Sequence, residues 1–299
     1  MEKEILEKYK KAGKIHKECL EFGSKLIKPD ARIIDVVERI EEKIKNMGGE
    51  FAFPVNISIN ETAAHDTADI GDERVFKDGD LVKLDIGVHI DGYIADGACT
   101  ISLNSGKEDL IKTARNALNE ALKIMKPGIK ISHISDVIEQ TIRNSGFIPV
   151  KNLTGHALGQ YKLHAGIEIP NVRTILNYEL KEGDVFAVEP FVTDGSGKVI
   201  ETEKALIYMF LNDKPTRFPE SRKILSIAKD KFYGLPFTKR WIIQKIPSLS
   251  QLKLNLILRQ LVQNNSLHEY PALREIKNGY VAQAEHTIIV SDKPIITTL

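Results

Sequence analysis

The sequence predicts an α/β (α+β) protein of two related halves that face each other, with a small basic helical subdomain inserted toward its C-terminal end. Three observations predict it. The chain nearly repeats itself at an offset of about a hundred residues. An Asp-Gly turn joins two alternating apolar runs into a hairpin. The stretch from Asn212 to Lys277 departs in charge and texture from its surroundings. A cleft between pseudosymmetric halves is a usual place for an active site.

The first element is a charged amphipathic helix that starts directly after Met1-Glu2-Lys3-Glu4. Lys28-Pro29 turns the chain, and a second helix begins near Ile33 with Asp35-Val36-Val37-Glu38. Asn46-Met47-Gly48 stops that helix, and a strand follows at Pro54-Val55. The hairpin is LDIGVHIDGYIADGAC, Leu84 to Cys99. With Asp91 and Gly92 as its two-residue loop, Asp85 falls opposite Ala98 and Asp96 opposite Gly87. Both carboxylates then project from one face as diagonal neighbours, and the glycine leaves room for a shared ligand. Lys126-Pro127, Asp136-Val137-Ile138-Glu139, Asn144-Ser145-Gly146 and Pro149-Val150 repeat the first pattern.

The second half continues with GHALGQYKLHAG (Gly155 to Gly166), which sets His156 and His164 among glycines that permit close backbone approach. FAVEPF (Phe186 to Phe191) places Glu189 in an apolar run before Pro190, and VAQAEHTIIV (Val281 to Val290) does the same with Glu285. Between those two runs, Pro219, Pro236, Pro247 and Pro271 punctuate short helical patterns such as SQLKLNLILRQLVQNN (Ser250 to Asn265). Residues 206–277 read as the inserted subdomain, and 1–205 with 278–299 as the main domain.

At 299 residues, 42% hydrophobic and 28% charged, the chain suits a globular protein of one large domain plus an insertion. Cys19 and Cys99 stand far apart and offer neither a disulfide framework nor paired zinc spacing, so a reducing cytoplasm is the expected setting. The sequence shows no apolar signal core and no membrane-length apolar run. Its net charge of +1 hides an asymmetry: thirteen Lys or Arg against five Asp or Glu lie between Asn212 and Lys277. That excess fits a solvated face or a nucleic-acid contact.

Taken singly, an aspartate in an apolar strand can sit outward, a glutamate can pair with a lysine such as Lys204, and either histidine can be an ordinary hydrogen-bonded one. Together they argue differently. An unpaired buried carboxylate costs several kcal/mol, roughly, and needs a cation or a proton. Two aspartates on one face and two glutamates in apolar runs point to a common cation site.

Asp85, Asp96, His156, Glu189 and Glu285, in that order and in those local contexts, resemble the five metal ligands of the methionine aminopeptidases, over essentially the whole chain. The resemblance implies the pseudo-twofold pita-bread fold and a cytoplasmic, monomeric hydrolase. It implies two divalent ions (Co2+, Mn2+ or Fe2+, with Zn2+ allowed), and residues matching Asp96 and Glu285 that bridge them. Asp85 would bind one ion, and His156 with Glu189 the other. A metal-bridging hydroxide would attack the scissile carbonyl, with Glu189 as proton shuttle. The long interval between Glu189 and Glu285 resembles the type II enzymes with their winged-helix-like insertion, and the short N-terminal segment looks archaeal.

The same resemblance gives roles to residues that spacing does not. His65, in AAHD, matches a histidine near the scissile region, and His164 one that donates to the oxyanion of the tetrahedral intermediate. Phe53, Leu163 and Ile207 match residues lining the pocket for the methionine side chain; plain core packing is the other reading of these three. His89 and His133 are expected to be exposed. The implied substrate is the initiator methionine of nascent chains whose second residue is small, with the insertion as a candidate ribosome contact. Two alternatives remain: an Xaa-Pro aminopeptidase or prolidase, which usually carries a separate N-terminal domain, and a non-catalytic homologue that binds RNA or ribosomes.

Overall fold

The computed structural model describes residues 1–216 and 218–299. The first half runs α1 (Lys3–Leu26), α2 (Ile33–Asn46), β1 (Glu50–Phe51), β2 (Asn56–Ile59), β3 (Thr62–Ala64), β4 (Leu81–Ile90) and β5 (Tyr93–Ser102). The second runs α3 (Glu108–Ile124), α4 (Ile131–Asn144), β6 (Ile148–Pro149), β7 (Thr154–Ala157), β8 (Glu168–Pro170), β9 (Val185–Val188), β10 (Phe191–Thr193) and β11 (Val199–Phe210). Then come α5 (Pro219–Asp230), β12 (Phe237–Thr238), α6 (Lys239–Lys245), α7 (Gln251–Gln263) and β13 (Leu267–Glu275). The chain closes with β14 (Val281–Gln283), β15 (His286–Ile289) and β16 (Ile295–Ile296).

The helices form because their apolar residues recur every three or four positions and cover a sheet. In α2 these are Ile33, Val36, Val37, Ile40 and Ile44; in α4 they are Ile131, Ile134, Ile138 and Ile142, and all nine are buried. At about 1.5–3 kcal/mol for each fully buried Ile, these two stripes outweigh the modest helix propensity of β-branched residues. Each helix stops two positions before a glycine in the left-handed region, Gly48 at φ 78° and Gly146 at φ 82°.

The repeat is carried by matching backbone bonds. Asp30 and Gly128, both at positive φ, donate their amides to the carbonyls of Phe76 and Leu180 at 2.8 Å in both cases. Ile33 and Ile131, the first residues of α2 and α4, donate to Arg74 and Tyr178 at 3.0 Å. Each half also has a turn, Lys77-Asp78-Gly79-Asp80 or Lys181-Glu182-Gly183-Asp184, whose last carboxylate accepts the amide of the first residue at 2.8 Å. Asp85 and Glu189 stand five positions after these two aspartates. They are therefore equivalent residues of the two halves, an equivalence that the opening repeat does not reach.

β4 pairs with β1, β2 and β5, while β9 lies between β7 and β15 in the sheet β16-β15-β9-β7-β8. The halves meet where β5 runs beside β14 and β15: the amide of Glu285 donates to the carbonyl of Ala98 at 3.0 Å, and that of Ala98 to Glu285 at 3.3 Å.

Helices α5 to α7 stand against β11 to β13 with a core of their own, including Ile224, Leu225, Trp241, Ile242, Leu254, Leu258 and Leu261. Ser250 caps α7 by accepting the amide of Lys253 at 3.3 Å. Lys239 and Arg240, counted among the basic charges of this segment, do not face solvent. Arg240 is 4% exposed and grips Glu41 of α2 through two bonds of 2.7 and 3.1 Å, while Lys239 reaches Asp69 at 3.0 Å. Among the described residues no helix is long and apolar enough to cross a membrane.

Candidate metal centre

The hairpin takes the register that the Asp91-Gly92 turn requires, with Asp91 at φ 49° and Gly92 at φ 84°. Asp85 pairs with Ala98 and Asp96 with Gly87, so both carboxylates share the face turned toward the second half. The space over Gly87 is filled differently from the expectation. A Cβ there would lie 2.5 Å from Cδ1 of Phe53 and 2.9 Å from Cβ of Ala52. The glycine admits the Phe53 ring, which takes up that space.

From the second half, β7 brings His156, the end of β9 brings Glu189, and the residue before β15 is Glu285. Asp96, His156 and Glu285 are buried and offer ligand atoms all within 4.8 Å of one another. Nε2 of His156 lies 3.8 Å from Asp96 and 3.6 Å from Glu189. Asp85 and Glu189 join the group through Gln283, whose Nε2 donates toward Asp85 at 3.4 Å, Glu189 at 3.2 Å and Glu285 at 3.4 Å. All five expected ligands therefore converge. Lys204, the alternative partner for a buried glutamate, instead reaches Asp66 at 3.4 Å.

The electrostatics call for cations or protons. Burial pushes the Asp85 carboxyl up to about 7. Burial, then the charge of Asp85, raises Asp96 well above the usual range. Glu189 is raised by burial and then by Asp85 and Asp96, and Glu285 by burial and then by Asp96, Glu189 and Asp85. Burial and the neighbouring His164 hold His156 down at about 3, so its imidazole is neutral and keeps a lone pair to donate. Oδ1 of Asp85 and Oδ1 of Asp96 are buried with no hydrogen-bond partner. Buried acceptors without donors are what a divalent cation would satisfy, and the residues present fit one.

A cavity of about 190 Å³ opens over this group. Its wall includes the five carboxylate and imidazole residues together with Phe53, His65, Leu163, His164 and Ile207, so every candidate site residue lines one space. His65 is not on a surface loop: it is half-buried at φ 63°, its ring 5.4 Å from that of Tyr270. His164 stands 4.4 Å from the His156 ring, and burial lowers its imidazole below the ordinary value. His133 is exposed as expected, but His89 is only 3% exposed, with its Nδ1 accepting the Gly92 amide and its ring against Tyr161 and Tyr233.

Sequence reasoning missed several contributors, Gln283, Tyr270, Asn56 and Pro236 among them. Gln283 stands two residues before Glu285, the same-face spacing of an extended chain, which was a usable signal. Tyr270 faces Ile207 across β11 and β13, and Asn56 faces Asp85 across β2 and β4. Those partners follow only once the strand pairing is known. Pro236 reaches the cavity from the insertion, and nothing local announces it.

The chain matches the family profile described as Metallopeptidase family M24 over residues 7–292. It is 50% identical over 281 residues to a methionine aminopeptidase of Thermococcus onnurineus, covering 94% of each chain. It is 42% identical over 299 residues to a methionine aminopeptidase of Methanocaldococcus jannaschii, covering 100% of both. Among solved structures, a methionine aminopeptidase from Thermotoga maritima superposes with a TM-score of 0.72 at 24% identity, covering 100% of this chain and 98% of that one.

Proposed function

The chain belongs to metallopeptidase family M24, with the pita-bread fold, and from that premise we propose that it is a methionine aminopeptidase using two divalent cations. The single observation that carries this is the convergence of four carboxylates and one neutral imidazole, drawn from both halves, on the floor of a cavity with an apolar wall. Four carboxylate charges balance two divalent cations. The oxygen-rich set favours manganese, iron or cobalt, with zinc also able to bind. When bound, such a pair supplies Lewis acidity and an acidified water.

Asp85, Asp96, His156, Glu189 and Glu285 would hold the cations, with Asp96 and Glu285, buried side by side, as carboxylates shared between them, Asp85 on one and His156 with Glu189 on the other. Glu189 holds the proton taken from the attacking water and passes it to the leaving amine. His164, kept neutral by burial, donates its ring N–H to the developing oxyanion, and His65 contacts the substrate beside the scissile bond. Phe53, Leu163 and Ile207 seat the methionine side chain, since a thioether packs well on apolar and aromatic surface. The substrate is the initiator methionine of cytoplasmic nascent chains whose second residue is small.

Residues 206–277 are assigned as the insertion subdomain, supported by their separate apolar core. Exposed Arg222, Lys223, Lys231 and Lys245 on that segment support a ribosome contact, whose binding must weaken as salt rises. The deciding experiment is release of methionine from Met-Ala-Ser by metal-free protein titrated with manganese, iron and cobalt, alongside Asp96→Asn. Activity that appears with metal and is lost in the variant supports the proposal. Cleavage of Xaa-Pro peptides without methionine release replaces it with the proline-specific reading, and equal cleavage of Met-Gly and Met-Leu peptides removes the small-residue preference.

A further inference from the structure

The seam between the halves is an antiparallel ladder with an irregularity at each end. Its central rung, Ala98 with Glu285, is the direct pair of backbone bonds described above. At the rung on one side, Oγ1 of Thr287 accepts the amide of Asp96 and donates to the Asp96 carbonyl, both at 2.8 Å. At the rung on the other side, Oγ1 of Thr100 accepts the amide of Gln283 at 2.8 Å and donates to the Gln283 carbonyl at 2.7 Å. A hydroxyl stands between the two backbones at both outer rungs, one supplied by each half.

We propose that Thr287 and Thr100 are positioning residues for the metal centre: reciprocal hydroxyl clamps that fix the splay of the seam, and through it the placement of Asp96 and Gln283 against Glu285. The proposal rests on the reading of Asp96 and Glu285 as cation ligands. The two threonines are buried, so neither exchanges its bonds with water. Each clamp saturates both the donor and the acceptor of one backbone residue, and a buried backbone group left without a partner is costly.

The residues held are those the site depends on. Asp96 carries a ligand carboxylate, and Gln283 carries the amide that spans Asp85, Glu189 and Glu285. The seam has little slack beside them. A Cβ at Gly97 would lie 2.7 Å from Cε1 of His16 and 3.2 Å from the Glu285 carbonyl oxygen. His16 itself donates to the Gly97 carbonyl at 3.0 Å. Behind Thr287, Oγ1 of Thr298 accepts the Thr287 amide at 3.1 Å and bonds Nδ1 of His286 at 2.8 Å. The hydroxyl of Thr287 therefore cannot swing to another partner without breaking this packing.

The test reads metal binding, not turnover. Metal-free wild type, Thr287→Val, Thr287→Ser and Thr100→Val are titrated with Mn2+ alone by calorimetry, after thermal melts establish which variants fold. Thr287→Val keeps the side-chain shape and loses the hydroxyl, so its Mn2+ affinity should fall ten- to a hundredfold, roughly the loss seen when outer partners of metal ligands are removed. Thr287→Ser should bind as wild type does. A folded Thr287→Val with wild-type affinity and stoichiometry would overturn the proposal. Should that variant not fold, Thr100→Val tests the same proposition through Gln283, and unchanged affinity there would overturn it equally. Wild type that binds no Mn2+ removes the metal-centre reading itself, whereas wild type and valine variants that bind alike remove only the clamps.

Discussion

Gly87→Ala tests how the cavity wall is built. The added methyl would sit 2.5 Å from Cδ1 of Phe53, where contact between carbons is comfortable at about 3.5–4.0 Å. Cε1 of the ring lies closer still, so the ring must retreat by about 1.3–1.8 Å, and overpacking of that kind costs about 1–3 kcal/mol of stability. Ala52, Tyr9, Ile94 and Leu158 pack in the same cluster, so the open direction is into the cavity that Phe53 already lines. There the ring takes space assigned to the methionine side chain, whose burial is worth about 1.5–3 kcal/mol. The expected result is a fall in kcat/KM on Met-Ala-Ser of roughly ten- to a hundredfold. Metal affinity should hold, because the backbone pairing of Gly87 with Asp96 needs no side chain. Steady-state kinetics with parallel metal titration measures both, and kcat/KM within twofold of wild type would refute this account of the wall. A matching loss of metal affinity would show that the glycine serves the ligands instead.

Three other outcomes are expected. His164→Ala should bind metal normally and lose about 10²- to 10³-fold in kcat, as for one missing oxyanion donor; single-turnover kinetics with near-normal rates would contradict that role. Glu41→Ala leaves buried Arg240 with only the half-exposed Glu38 at 3.9 Å as counter-charge, and leaves the Trp241 indole that donates to the Glu41 carboxylate unpaired. It should cost about 3–5 kcal/mol in chemical denaturation, and a loss near zero would mean that the insertion is not anchored there. The third concerns Glu275. Burial pulls its carboxyl upward, but the Ser196 hydroxyl and the amides of Gly279, Ser196 and Lys277 pull harder and leave it below its ordinary 4.5. A depressed carboxyl contributes stability that is present above 4.5 and lost as pH falls through the lower folded-state value. Glu275→Gln should flatten the acid limb of the stability curve, and parallel curves for both proteins would rule the contribution out.

Much of the site was legible because its signals are local. An Asp-Gly pair between alternating runs fixes a hairpin register, and the register alone puts Asp85 and Asp96 on one face. Glu189 and Glu285 stood out as carboxylates in apolar runs, where only a cation or proton makes burial tolerable. The helix, turn and strand repeat was readable for the same reason, since periodicity and capping involve residues a few positions apart. The prediction that failed at His89 failed on contacts that span the sequence, with Tyr161 and Tyr233 brought over the hairpin tip from the second half and the insertion. Lys239 and Arg240 looked like solvated charges because their partners, Asp69 and Glu41, lie about 170 and 199 positions away.

The sequence by itself determined the two-half α/β plan, the hairpin and the four carboxylates set in apolar runs, because each is encoded by residue type and short-range spacing; His156 joined them through the family resemblance. Only the tertiary structure decided that Phe53 fills the space over Gly87, that Gln283 joins the carboxylates, and that two threonine hydroxyls separate the strands of the seam. These depend on how closely two backbones approach, and Asp96 and Thr287 are 191 positions apart. The close packing of the whole interior sets that distance, and no window of sequence contains it.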